Sequence, residues 1–328
     1  MKLAPFLLVL IWLAACGRSA APPALPAPDS APTAFPTPPA LPAPFAVIGY
    51  FPDYREYNPA WADHLTDIIY FSAEPRADGT LDTSRLNEET WAQLQKMKTQ
   101  HATRIHLSIG GWQRGAHFSA LTANPVVRRA FVQNLLNYLL AHNLDGADFD
   151  WEFPQNETEF EHYIALLKEA QAALSARAML VSVALPADAS FPLGRFAVAD
   201  RIHIMSYDRA AKHATYEQAA QDLQLFLDAG IPAEKLALGI PFYGRNMQPP
   251  YDAHSYEEII RNYDPAPNMD EVDGIYFNGL NTVQDKVCFA MEEKTGGVMV
   301  WELAQDTTAA SSLLQRMYAL AAAKIPCR

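Results

Sequence analysis

The chain is short of cysteine and of positive charge. Only three of its 328 residues are cysteines, which excludes a disulfide-stapled mini-fold and leaves stability to a packed core. The nine histidines are scattered and no Cys/His cluster has metal-ligand spacing, so neither a metal site nor a cofactor is expected. Lys and Arg number 25 against 37 Asp and Glu, a net charge of −12. With no basic stripe, nucleic acid is excluded as a partner. There is also no glycine-rich phosphate loop after the first core strand, which runs into Phe51-Pro52-Asp53-Tyr54 instead. That argues against the runner-up fold, a doubly wound open sheet. The early apolar run, Phe6–Leu13, is too short to span a bilayer as a permanent helix.

What is present falls into three parts. Residues 1–15 have a basic start at Lys2 and an apolar middle, the pattern of an export signal. They lead into Leu13-Ala14-Ala15-Cys16, which resembles a bacterial lipobox. The resemblance implies an exported protein, lipidated on Cys16 and held at a membrane, the outer one in a diderm host because Gly17 is not a retention Asp. The alternative is an ordinary secretory signal cleaved near Ala20–Ala21. Residues 16–44 hold ten of the chain's 25 prolines and many alanines, and are expected to form an extended, semi-rigid tether. Residues 45–328 suit one large α/β domain. In an exported chain the two remaining cysteines, Cys288 and Cys327, are candidates for a disulfide, though sequence does not show that they meet. A monomer is expected.

Within the domain, short apolar runs alternate with longer amphipathic ones. Strands are expected at Ala46–Phe51, Asp67–Ser72, Arg104–Ile109, Gly146–Glu152, Met179–Leu185, Arg201–Tyr207, Leu236–Pro241 and Gly297–Leu303. Asn124-Pro125 reads as a helix cap followed by Pro at the first helical position, with Val127, Phe131, Leu135 and Tyr138 on one face. Asn156 and Glu159 suggest a capping box ahead of Phe160, Tyr163, Ile164, Leu167 and Leu174. Thr215 opens a further helix closed by Gly230. Eight strands alternating with helices predict a (β/α)8 TIM barrel.

The most informative stretch is residues 145–152, Asp-Gly-Ala-Asp-Phe-Asp-Trp-Glu. On a strand, alternate side chains share a face, so Asp148, Asp150 and Glu152 point one way and Ala147, Phe149 and Trp151 the other. Crowded carboxyls on one face push at least one proton affinity up, which suits a general acid at neutral pH. The octet resembles the D-G-x-D-x-D-W-E signature of glycoside hydrolase family 18, the chitinase family. Three further stretches resemble the same family in the same strand order: Ser108-Ile109-Gly110-Gly111-Trp112, Met205-Ser206-Tyr207-Asp208, and the late strands with Tyr243, Arg245 and Trp301.

The resemblance implies roles for these residues. Glu152 protonates the glycosidic oxygen, Asp150 orients the substrate's 2-acetamido group, Asp148 shares a proton with Asp150, and Tyr207 donates to the acetamido oxygen. Asp208 contacts the same sugar and Trp301 forms its floor. Tyr50, Phe71, Ser108, Gly110, Gly111, Trp112, Met205, Tyr243 and Arg245 complete the expected substrate-binding set. The implied activity is retaining hydrolysis of β-1,4 linkages in N-acetylglucosamine-containing glycans through an oxazolinium intermediate. Alternatives are action on peptidoglycan or an N-glycan core, or a non-catalytic glycan-binding protein. The chain departs from the family pattern at Glu302, after Trp301. It also departs in its short segment between strands 7 and 8, which predicts a shallower groove.

Overall fold

Runs of Val, Ile, Leu and aromatic residues, buried on both faces, form the strands. In the computed structural model, which describes residues 45–188 and 190–327, eight of them close into a barrel. They are β1 (Ala46–Pro52), β2 (Asp67–Pro75), β3 (Arg104–Gly110), β4 (Gly146–Asp150), β5 (Leu180–Pro186), β6 (Arg201–Met205), β7 (Leu236–Pro241) and β8 (Gly297–Trp301). Each pairs in parallel with the next, and β8 returns to β1. The (β/α)8 barrel is thus the observed fold, with every expected strand in its place. Cys16 and the Pro-rich tether lie outside the described residues.

β4, β6 and β8 end sooner than expected. The ladder stops at Asp150, Met205 and Trp301, so Glu152 and Tyr207 stand just beyond it at the mouth, where the backbone is free to turn.

The helices begin where side-chain oxygens meet free amides. Asn124 accepts from Val126 at 2.9 Å with Pro125 next in line, and Thr215 and Gln218 form a reciprocal capping box. Asn156 caps Glu157–Ser175 through the Glu159 amide at 3.0 Å. The expected return bond is displaced by one residue: Glu159 accepts from the Gln155 amide at 2.8 Å and from the Ser119 hydroxyl at 2.6 Å.

Two layers of packing follow from the alternation. Outward-facing residues such as Phe149 and Trp151 pack between barrel and helices; Trp151 stacks on Phe118 at 5.2 Å. Inside the barrel, Ala46, Ile48, Tyr50, Ile69, Phe71, Ala237 and Met299 form a smaller cluster that runs up to the mouth. At the opposite end the barrel is filled by ions. Buried Asp67 accepts from Arg104 and His106, both at 2.8 Å, and lies 3.2 Å from Arg201. Burial alone would raise the Asp67 carboxyl, but Arg201, His106 and Arg104 hold it well below its ordinary value.

Between β7 and β8 the chain builds a small antiparallel sheet from Tyr243–Asn246, Ala253–Ser255, Glu271–Val272 and Ile275–Tyr276, with the helix Tyr256–Tyr263. The short segment therefore still makes a small α+β unit. Cys288, on the helix Leu280–Glu292, is bonded to Cys327 near the C-terminus.

Candidate active site

The strand register puts Ser108, Asp148, Ser182 and Arg201 in one row around the barrel interior. Asp148 is fully buried there and takes donors on both oxygens. Tyr50 donates to Oδ2 at 2.7 Å, and Ser182 donates to Oδ1 at 2.7 Å. His203 Nδ1 lies 3.1 Å from Oδ1 and 2.9 Å from the Tyr50 hydroxyl. Burial would raise Asp148, but these donors, His203 first, outweigh it and hold the carboxyl below its usual value. Asp148 is a carboxylate at neutral pH.

Asp150 is two residues along the same face and the opposite case. It is 4% exposed, and its Oδ1 is buried with no hydrogen-bond partner. Burial, then the charges of Glu152 and Asp148, push it well above the ordinary carboxylate range. An unpartnered buried carboxyl keeps its proton rather than bear the cost of ionising. Glu152, at the mouth, is lifted to about 7 by burial and then by the charge of Asp208, against a weaker pull from the Trp112 backbone. Such a group can give up and recover a proton near neutral pH. These affinities belong to the trio as a unit.

Above the trio opens a cavity of about 970 Å³. Tyr50, Phe71 and Trp301 form an aromatic floor; the Trp301 ring meets Tyr50 edge-on at 5.6 Å and Phe71 at 4.9 Å. Tyr207 lines one side. Burial, then Tyr243 and the acidic neighbours, push its phenol well up, so it remains a hydrogen donor. Asp208 beside it accepts from Tyr243 and from Arg245, each at 2.6 Å. Trp112, 67% exposed, stands at the rim.

Acid, buried partner carboxyls and aromatic floor all sit at the C-terminal ends of the strands, where barrels of this kind place their chemistry. The Glycosyl hydrolases family 18 model matches residues 46–306, most of the chain. The chain belongs to glycosyl hydrolase family 18. The hydrolase is 27% identical to chitinase 1 of Aphanocladium album, over 79% of its own length and 80% of the relative's. It is 26% identical to probable chitinase 2 of Drosophila melanogaster, over 66% of its length and 59% of that protein's. Among solved structures, a family 18 chitinase from the chitin utilization locus of Flavobacterium johnsoniae superposes with a TM-score of 0.74 at 28% identity, covering 84% of this chain and 93% of the other.

Most of the residues expected from sequence meet at one place in the hydrolase, but not all in the expected way. Glu152, Asp150, Tyr207, Tyr50, Phe71, Trp112, Met205, Asp208, Arg245 and Trp301 line the cavity. Asp148 lies beneath it. Ser108, Gly110, Gly111 and Tyr243 lie behind the lining residues. Ser108 faces the barrel interior in register with Asp148, its hydroxyl buried and unpartnered. The two glycines are spacers. A Cβ on Gly110 would come 2.5 Å from the Asp150 carbonyl oxygen, and one on Gly111 would come 2.2 Å from the Phe71 ring. Gly111 donates its amide to that Asp150 carbonyl at 2.7 Å, with φ at +101°. Tyr243 acts from behind, through Asp208.

Sequence reading missed several lining residues of the hydrolase. Tyr54, Glu74, Arg85, Gln113, Arg114 and Phe153 all reach the cavity. Arg114 is fixed by Asp53 through bonds of 2.6 and 3.1 Å, and its guanidinium lies 4.9 Å over the Phe71 ring. Glu302, the departure after Trp301, is fully buried and accepts from Arg55 at 2.9 Å and from the Ala304 amide at 2.8 Å. It caps a short helical turn and so serves the frame rather than the cavity.

Proposed function

We propose that this family 18 hydrolase cleaves β-1,4-linked N-acetylglucosamine polymers, chitin or its oligosaccharides, with retention at the anomeric carbon. The observation that carries the reading is the state of the carboxyls lining the cavity. Among the described residues these are Glu74, Asp150, Glu152 and Asp208. Glu74 is paired with Arg85 at 3.0 Å, and Asp208 is committed to Tyr243 and Arg245. Asp150 holds a proton, and Glu152 has the affinity of an acid–base group. No carboxylate without an ion-pair partner is left to attack the sugar, whereas most retaining enzymes use one. A nucleophile carried by the substrate fits this site.

In the proposed mechanism Glu152 protonates the glycosidic oxygen as the bond to the anomeric carbon breaks. The 2-acetamido carbonyl oxygen of the same sugar attacks that carbon and closes an oxazolinium ring. Asp150 accepts from the acetamido N–H, and as positive charge develops there its own proton passes to Asp148, leaving Asp150 anionic beside the cation. Tyr207 donates to the acetamido oxygen, and Trp301 supports the apolar face of the ring. Glu152, now a carboxylate, takes a proton from water as that water opens the oxazolinium. The chitinases among the relatives support this substrate class.

The test is product analysis. Purified protein is incubated separately with chito-oligosaccharides, peptidoglycan and an N-glycopeptide, and the products are identified by mass spectrometry and by NMR of the first anomer. Cleavage of chito-oligosaccharides with a β first product is expected; an α first product, or undiminished cleavage of sugars lacking the N-acetyl group, overturns the mechanism. The peptidoglycan arm addresses the setting implied by Cys16, through which we propose that the enzyme is anchored to a membrane by lipid, spaced from it by the Pro-rich tether.

A further inference from the structure

Beneath the site lies a histidine that the mechanism above does not use. His203 is on β6, 1% exposed, between Ile202 and Ile204, which face outward into the core. Its ring is edge-on to Tyr50 at 5.8 Å. One nitrogen, Nδ1, is placed against both the Tyr50 hydroxyl and Asp148; the other, Nε2, is buried with no partner.

The hydrogen positions follow by elimination. Tyr50 gives its only hydroxyl hydrogen to Asp148 Oδ2, at 2.7 Å. That leaves the Tyr50 oxygen able only to accept, and the Asp148 carboxylate is acceptor-only. Nδ1, facing two acceptors, must carry the hydrogen. Burial pushes the imidazole below its ordinary affinity, so the ring is neutral at pH 7 and Nε2 bears the lone pair. Asp148 therefore holds the Tyr50 and Ser182 donors, with the Nδ1–H of His203 2.9 Å from the Tyr50 oxygen and 3.1 Å from Asp148 Oδ1, shared between the two, while Asp150 holds none.

We propose that His203 is a positioning residue of the acid trio: its Nδ1–H, shared between the Tyr50 oxygen and Asp148 Oδ1, keeps the proton shared by Asp148 and Asp150 on Asp150 while the site is empty. The consequence reaches Glu152. With the proton on Asp150, Glu152 has a neutral carboxyl as its inner neighbour. Without the His203 donor, Asp148 competes for that proton, Asp150 ionises in part, and its charge discourages ionisation of Glu152. Asp148 and Asp150 on β4, Tyr50 on β1, His106 on β3 with Asp67 on β2 behind it, Arg201 on β6 and Tyr207 just past its end are the titratable or charged groups around the ring. β5 presents Ser182, and β7 and β8 present the neutral Ala237 and Met299.

The inference rests on Glu152 being the acid, and the experiment separates the two. His203→Phe keeps a flat ring and removes the donor; His203→Asn places an amide nitrogen at the position of Nδ1 and restores it. The dependence of kcat/KM on pH, measured with a chito-oligosaccharide, reports groups of the free enzyme. The alkaline limb is expected to move up by about half a unit or more in His203→Phe, a modest effect for a newly ionised neighbour, and to stay at the wild-type position in His203→Asn. A His203→Phe limb that coincides with the wild type, at whatever rate, overturns the proposal. Should that variant not fold, ¹⁵N NMR of the wild-type histidines decides: a neutral ring protonated on Nδ1 is expected, and one protonated on Nε2 overturns it. A wild-type enzyme inactive on N-acetylglucosamine oligomers would sink the proposed function, and the tautomer would still be read independently.

Discussion

Tyr243 donates its phenol hydrogen to Asp208 Oδ1 at 2.6 Å, and the same oxygen accepts from Arg245 Nε at the same distance. Asp208 sits in the left-handed region at φ +64°, so its side chain is held in place by these two partners against a strained backbone. A residue that never lines up as acid or nucleophile thereby fixes a negative charge beside Glu152.

That charge can be removed without replacing a member of the trio. Asp208→Asn keeps the shape of the side chain. Glu152 is raised first by burial and second by Asp208, so the amide should lower it from about 7. The group then loses its proton earlier as pH rises, and the alkaline limb of kcat/KM should move down, by roughly up to one unit for a single neighbouring charge. An unmoved or rising limb would contradict the role given to Asp208.

The acid itself is tested by Glu152→Gln. The group is partly exposed at the mouth, so the fold should survive, with circular dichroism unchanged. Turnover on an unactivated substrate should fall by at least ~10²–10⁴-fold, the usual contribution of acid–base catalysis. Asp150→Asn should be comparably severe because a neutral amide cannot become anionic beside the cation. Tyr207→Phe should be milder, losing one donor.

Gly111→Ala tests the spacing of β3 against β4. The new methyl would need φ of +101° and would strike the Phe71 ring. A loss of about 1–3 kcal/mol is expected from the backbone alone, seen as a lower melting temperature, together with weaker binding because Phe71 is displaced from the floor. A variant with wild-type stability and binding would show that Phe71 yields freely.

The Cys288–Cys327 bond closes a loop across 39 positions. Chain entropy for such a loop gives about 3–4 kcal/mol. The Cys288→Ser/Cys327→Ser double variant should unfold at correspondingly lower denaturant, and peptide mapping without reductant should show the linked pair in the wild type only.

Anchoring is tested in cells. Radiolabelled palmitate should enter the wild type and not Cys16→Ser; equal labelling of the two would refute the lipid on Cys16.

The barrel was legible because each strand carried its own local signal, and because the acidic octet alternates with Ala147, Phe149 and Trp151 in the period of a strand. The carriers of cap bonds, Asn124, Asn156 and Thr215, were equally local. What escaped was contact between distant segments. Nothing near Arg114 announces Asp53, sixty-one positions earlier, and Glu302 finds Arg55 only once the barrel closes. His203 and Ser182 did leave a trace: each is a polar residue between apolar neighbours on a strand, Ile202 with Ile204 and Val181 with Val183. In a sheet covered by helices, such a residue points into the barrel. Ser108, between Leu107 and Ile109, carries the same trace, and it lies in register with Asp148.

The ionic cluster of Asp67, Arg104, His106 and Arg201 closes the floor of the barrel beneath His203. Asp148 and Asp150 are thereby cut off from bulk water on every side but the mouth, and the mouth is where a sugar ring would lie. Once substrate is seated, we expect the proton of the Asp148–Asp150 pair to exchange with solvent only by way of Glu152 or the glycan. The inner pair would then enter each turnover with one proton, set by the solution before binding, and pass it only between its two members until product departs.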